Sequence, residues 1–270
     1  FPTRRSSDLL AVLNADDPNV RAMASVTRAA ALLVGQSSDA HVRVTDVVLD
    51  ASARPSFRLH VAAGGPLGAA TDRACDVRLQ LHGEHHVENA AQAAAVALRL
   101  GMPLADVAAA LGEVQPVNRW RMQVTERADG VTVVNDAYNA NPDSMRAALK
   151  ALAVMGQGRR TWAVLGEMLE LGPDSVSEHD RIGRLAVRLN ISRLVAVGSG
   201  ARPIHTGAVH EGSWGEESVL VPDAEAAYRL LADELRPGDV VLLKSSRDAG
   251  LRHLGDRLVE QVDGDGVTPA

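Results

Sequence analysis

"VVNDAYNANPDSM", residues 133–145, runs an apolar pair, Val133 and Val134, straight into Asp136, Tyr138, Asn139 and Asn141, and only then into a proline. With Val131 ahead of it, the apolar run reads as a buried strand. Asn-Pro followed by "DSMRAALKAL" predicts a helix with Pro142 in its first turn. Polar side chains therefore crowd the carboxyl end of a strand, which is where ligands sit in open α/β sheets. Any one of these asparagines also fits an Asx turn that satisfies its own backbone, whereas four polar residues together point to a binding loop.

Toward the carboxyl terminus, from about residue 147, apolar strands alternate with helices in short steps. The strands are "RRTWAVLGEM" (159–168), "ISRLVAVGSG" (191–200), "ESVLVP" (217–222) and "GDVVLLKSS" (238–246). The helices are "SEHDRIGRLAVRLN" (177–190), "DAEAAYRLLADEL" (223–235) and "DAGLRHLGDRLVEQV" (248–262). Alternation of this kind predicts a parallel sheet covered by helices, and residues 147–262 read as a set closed on itself. Toward the amino terminus, strands are expected at "LAVLN", "ALLVG", "VRVTDVVLD", "SFRLHVA", "CDVRLQLHG", "RWRMQVTE" and "VTVVNDA". Between the fourth and fifth of these, "AAGGPLGAAT" has the glycines of a phosphate loop without its lysine and predicts a hairpin turn. "GEHHVENAAQAAAVALRLG" (83–101) and "PLADVAAAL" (103–111) are expected helices, the first Ala-rich and closed by Gly101.

The 270 residues suffice for two domains with separate cores. A net charge of −6 argues against a nucleic-acid surface, which needs a basic face, so small-molecule partners are expected. No apolar run approaches the roughly 20 residues that span a bilayer. The single cysteine, Cys75, cannot form an internal disulfide; it fits a small apolar residue in a reducing compartment, and the cytoplasm is the expected location. "FPTRRSSDL" (1–9) has neither a signal peptide's apolar core nor a structural period, and is expected to be foreign or disordered. The tail from residue 263 to 270 is expected to be disordered.

Other motifs are weaker singly. "VGSGARP" (197–203) opens like a dinucleotide fingerprint but lacks its third glycine and carries Pro203. "GDVVLLKSSRDAG" delivers Lys244, Ser245, Ser246 and Arg247 from a strand to a helix start, a setting suited to an anion, although an N-cap serine beside two solvated cations fits equally. "VLGEMLELG" puts Glu167 at a strand end. His179 in the following helix fits either a site residue or an ordinary surface histidine, and spacing alone favours the latter; no Cys/His group has zinc spacing.

"LNADDP", "GEHHVENA", "NRWRM", "VVNDAYNANPDSM", "VLGEMLELG" with His179 after it, and "GDVVLLKSSR" stand in an order and spacing that resembles the Mur ligases, from about residue 10 to residue 262. The resemblance implies the carboxyl-terminal half of the family's central ATPase domain over residues 10–146. A Rossmann-like parallel-sheet ligase domain follows over 147–262. Within the family it is nearest to the members that join D-alanyl-D-alanine to UDP-N-acetylmuramoyl-tripeptide through an acyl phosphate, with ATP and magnesium, in cytoplasmic peptidoglycan precursor synthesis. It places ATP beside His86, Asn89, Arg121, Asp136, Tyr138, Asn139 and Asn141. Asn89 would meet the adenine edge, Arg121 the phosphates and Asp136 the ribose hydroxyls. Glu167, Lys244, Ser245, Ser246 and Arg247 would hold the incoming amino-acid substrate.

The sequence also departs from the family. His86 stands at the first Asn of the common Gly-x-His-Asn-x-x-Asn pattern, and imidazole still offers one donor and one acceptor. The Gly-x-x-x-x-Gly-Lys loop, the magnesium ligands and the uridine-nucleotide domain precede "LNADD" in the family, so the chain reads as a fragment, inactive alone, with no metal ligand expected in it. A sister ligase is the runner-up, although the diaminopimelate- or lysine-adding relatives carry an Asp-Asn-Pro-Arg that is absent here, and folylpolyglutamate synthetases read Asp-Gly-Ala-His-Asn where this chain has "NDAYNAN". A truncated, non-catalytic binding module is the alternative from another class.

Overall fold

The computed structural model describes residues 9–212 and 217–264 and separates into two compact units, divided after Gln115. Most of the segment expected to be foreign or disordered, and the tail beyond Gly264, lie outside the described residues; Asp263 and Gly264 end a helix.

In the first unit, β1 (Leu10–Asn14), β2 (Ala30–Gly35), β3 (Val42–Leu49), β4 (Pro55–Val61) and β5 (Arg73–Arg78) form one sheet in sequence order. The first three strands are parallel, and β3–β4 and β4–β5 are antiparallel, with the expected hairpin joining the last two. Helix α1 (Pro18–Ala22) starts on Asp17, whose carboxylate accepts from the Asn19 and Val20 amides. The neighbouring Asp16 accepts from the Gln36 and Ser37 amides at 2.6 and 2.9 Å, binding the end of β1 to the end of β2. Gly35 lies so close to that carboxylate that a β-carbon there would collide with it. The "LNADDP" stretch is thus accounted for locally by a cap and a clamp. Helix α2 (His85–Arg99) turns Ala91, Ala94 and Ala95 onto Leu32, Val34, Val42, Phe57 and Leu59, small side chains letting the helix lie low on the sheet. Helix α3 (Leu104–Glu113) packs against α2 and β5.

The second unit holds β6 (Gln123–Glu126), β7 (Thr132–Asn135), α4 (Pro142–Met155), β8 (Thr161–Leu165), α5 (Ser175–Arg188), β9 (Arg193–Val197), α6 (Arg202–Glu211), β10 (Ser218–Val221), α7 (Ala224–Glu234), β11 (Val240–Lys244) and α8 (Leu251–Gly264). Its sheet runs β10-β9-β8-β11-β7-β6, parallel except for β6 at the edge. This corrects the expected division near residue 147. β11 inserts between β7 and β8, so β7 is an internal strand and β6 the sheet's edge; the carboxyl-terminal set is not closed without them. Burial accounts for it: Val131, Thr132, Val133 and Val134 are all at most 5% exposed.

Helices α4, α5 and α6 pack in a row, and α7 packs on α8. Right-handed crossovers then send the connections after β7 and β8 to one face and the connection after β11 to the other. Crevices open where neighbouring strands part in this way, at their carboxyl ends.

Candidate functional site

Lys244 ends β11 and is 2% exposed. Its ammonium donates to Asp136 Oδ2 at 2.7 Å, to the Asp136 carbonyl at 3.3 Å and to the Asn139 carbonyl at 3.0 Å, drawing the loop after β7 onto β11. Asp136 Oδ1 accepts from the Met122 amide at 2.9 Å, and the Tyr138 amide donates to the Trp120 carbonyl at 3.1 Å. Trp120 and Met122 have φ of 62° and 45°, a region that L-residues adopt at a cost and that these hydrogen bonds hold in place. Between them Arg121 is exposed, its guanidinium 4.3 Å from the centre of the Tyr138 ring. The structure therefore gathers Arg121, Asp136, Tyr138 and Asn139 at the ends of β7 and β11. Asn141 serves the helix instead. Its side chain accepts from the Ser144 amide at 2.8 Å while the Ser144 hydroxyl accepts from the Asn141 amide, a reciprocal cap on α4.

The loop after β8 is stitched to the loop after β11. Gly166 donates to the Lys244 carbonyl, Ser246 donates its amide to the Glu167 carbonyl, and the Leu169 amide donates to the Ser246 hydroxyl, each at 2.9 Å. The Met168 amide donates to His179 Nε2 at 2.8 Å, and His179 Nδ1 lies 2.6 Å from the Ser175 carbonyl. Since Nε2 accepts, the ring proton sits on Nδ1. His179 is thus 1% exposed and a strut for this loop, not the surface residue its spacing suggested. So held, Glu167 lies against Gly200, where any side chain would collide with its carboxylate, and that carboxylate makes no hydrogen bond among the described residues.

The group expected to hold substrate therefore divides. Lys244 is fully engaged within the protein, and Ser245 is completely buried, its hydroxyl donating to the Ser246 carbonyl. Ser246 is 3% exposed and holds the Leu169 amide. Glu167 and the exposed Arg247 remain the side chains open to a ligand. In the first unit, His86 and Asn89 stand one turn apart on α2, with Asn89 exposed. Between them Glu88 accepts from Asn14 and Gln92; burial, then Asp16 and Asp17, push its carboxyl above the usual range.

The anchor beneath Arg121 was not foreseen from the sequence. The Trp120 indole donates to both oxygens of Asp256 on α8, at 3.1 and 3.0 Å, Arg119 adds an ion pair at 3.0 Å, and buried Asn135 donates to the Arg252 carbonyl at 2.8 Å. "NRWRM" marked the segment, but nothing in its spacing pointed to a partner so far along the chain.

Residues 120–247 match the family described as Mur ligase, glutamate ligase domain, a span that runs from Trp120 to Arg247 and contains the residues gathered at the ends of β7, β8 and β11. The chain belongs to the Mur ligase family. It is 51% identical to the UDP-N-acetylmuramoyl-tripeptide--D-alanyl-D-alanine ligase of Mycobacterium leprae, over 95% of this chain and 52% of the relative. Identity to the ligase of the same name from Mycobacterium tuberculosis H37Rv is 53%, over 92% of this chain and 50% of the relative. The crystal structure of MurF from Acinetobacter baumannii superposes with a TM-score of 0.76 at 28% identity, covering 93% of this chain and 52% of that one. The chain spans about half the length of the curated Mur ligases it matches. Among the described residues no helix is long and apolar enough to cross a membrane.

Proposed function

We propose that this chain is the part of a cytoplasmic, ATP-dependent Mur ligase that joins D-alanyl-D-alanine to UDP-N-acetylmuramoyl-tripeptide in peptidoglycan precursor synthesis. The observation that carries the reading is the shared end of β7, β8 and β11, where a stacked, exposed guanidinium and a carboxylate stand at the end of β7 and two loops bonded to each other, after β8 and after β11, carry Glu167 and Arg247. In the proposed reaction an oxygen of the tripeptide's terminal carboxylate bonds to the γ phosphorus of ATP, the bond from that phosphorus to the bridging oxygen breaks, and ADP leaves, giving an acyl phosphate. The dipeptide amine then attacks that carbonyl carbon, the C–N bond forms, the C–O bond to phosphate breaks, and nitrogen gives up its proton. Charge gathers on the phosphoryl oxygens and then on a tetrahedral carbon.

The residues present fit a nucleotide. Arg121 offers a planar fork to phosphate oxygens, and Asp136 retains lone pairs for ribose hydroxyls beyond those used by Lys244 and Met122. His86 and Asn89, in the first unit, are the residues that the family resemblance assigns to adenine. Bound magnesium supplies charge neutralisation on the phosphates. On the acceptor side Arg247 meets the dipeptide carboxylate, and Glu167 can accept a hydrogen bond from its amine.

The test is phosphate release by a ligase of full family length containing this chain, with UDP-N-acetylmuramoyl-tripeptide, ATP, magnesium and a panel of acceptors. D-alanyl-D-alanine should be used well ahead of diaminopimelate, lysine and alanine. Preference for one of the single amino acids, each offered with the correspondingly shorter UDP-N-acetylmuramoyl substrate, would assign the chain to a sister ligase. The 270-residue chain alone, which carries no lysine-bearing phosphate loop, should release none.

A further inference from the structure

We infer that Lys244 is a positioning residue of the nucleotide side, acting on Arg121 through Asp136 and Met122, and is not a contact for the dipeptide. The kinetic part of this inference rests on the proposed ligase reading; the structural part does not. An ammonium group has three protons, and Lys244 directs them to three acceptors inside the protein: Asp136 Oδ2, the Asp136 carbonyl and the Asn139 carbonyl. Its side chain is 3% exposed, so no donor is left for an incoming carboxylate.

The consequence lies on the other side of Asp136. Oδ1 of the same carboxylate is the acceptor for the Met122 amide, and Met122 and Trp120 both hold left-handed backbone conformations. Such conformations are costly in an L-residue and persist only where surrounding contacts fix them. Trp120 is fixed by its indole on Asp256 and by its carbonyl, which takes the Tyr138 amide; Met122 is fixed by Asp136. Arg121 stands between these two anchors, and its place over Tyr138 follows from both. Lys244 holds Asp136 from behind and ties the Asn139 carbonyl to the same point. One buried cation thus sets the loop after β7 and the segment before β6 together.

Two substitutions test this. In the chain itself, Lys244→Met keeps length and removes charge, and amide exchange followed by NMR reads the relay. The Met122 amide should exchange about tenfold faster or more, the loss expected when a hydrogen bond to a charged group weakens. The Gly166 amide, which bonds the Lys244 backbone carbonyl, should keep its protection. In the full-length ligase the same change should raise KM for ATP by about tenfold or more and leave that for D-alanyl-D-alanine within about threefold. Lys244→Arg retains the charge and should recover part of the ATP constant; should the Met variant not fold, Lys244→Arg is the second probe and should shift the ATP constant alone. A raised dipeptide KM with ATP unaffected would make Lys244 an acceptor contact after all. Equal loosening of Met122 and Gly166 would reduce it to general support of the sheet, and unchanged exchange at Met122 would break the relay. If the unsubstituted enzyme shows no ligase activity, the ligase reading fails while Met122 exchange still decides the relay.

Discussion

Asp136 and Asp239 are acids at opposite ends of the same sheet, and their partners give them different work. Asp239 precedes β11 and is 3% exposed; it accepts from Arg160 Nη2 at 2.7 Å, the Trp162 indole at 3.0 Å and the Arg236 amide at 3.0 Å. It sits at the amino end, where α/β sheets keep support and not ligands. Burial by itself raises its pKa, but the Arg160 guanidinium, the Arg236 amide and the Trp162 indole outweigh burial and hold the carboxyl below its usual 3.8. A carboxyl depressed in the folded state stabilises the fold fully above the unfolded value and loses that contribution as pH falls through the folded one. Asp239→Ala should therefore cost about 3 kcal/mol at pH 7, since Arg160 and Trp162 lose a buried partner. Urea titrations should show the gap to wild type narrowing as pH drops below about 4. A gap that stays constant with pH would mean that the charge contributes nothing.

At the scale of elements, most strands and the helices from Pro142, "SEHDRIGRLAVRLN", "DAEAAYRLLADEL" and "DAGLRHLGDRLVEQV" were legible, because apolar runs bounded by Gly, Pro and Asp punctuate this chain. Helix α6 was not. "RPIHTGAVHE" carries proline, threonine and glycine, poor helix formers all, and Gly207 is there because a β-carbon would strike the Asp180 carbonyl of α5. Close packing of two helices erased the propensity signal. "RWRMQVTE" reads as a strand throughout, yet its first residues leave strand geometry so that Trp120 can reach Asp256. The division near residue 147 failed for a similar reason: local alternation does not reveal that β11 returns to lie beside β7. Residues 116–270 should accordingly unfold in urea as one cooperative unit, whereas 147–270, with one side of β11 unpaired and Lys244 deprived of Asp136, should show no cooperative transition by circular dichroism. Equal stability of the two pieces would contradict the sheet order.

At the scale of the molecule, the candidate site was legible as motifs but not as a division of labour. Six motifs in series marked the Mur ligase resemblance. Which side chains face inward depends on contacts between residues more than a hundred positions apart, such as Asp136 with Lys244 and Trp120 with Asp256. In the proposed ligase, the carboxyl ends of β7, β8 and β11 split into a nucleotide side at Asp136 and an acceptor side at Arg247. The direct measurement is the pair of Michaelis constants for Asp136→Ala and Arg247→Ala in the full-length ligase, with each substrate varied separately. Asp136→Ala should raise KM for ATP more than that for D-alanyl-D-alanine. Arg247→Ala should raise the dipeptide constant by about tenfold to a hundredfold, the worth of a lost charge-assisted hydrogen bond, with ATP within about threefold. Both substitutions moving the same constant, or Arg247→Ala leaving the dipeptide constant at its wild-type value, would contradict the split.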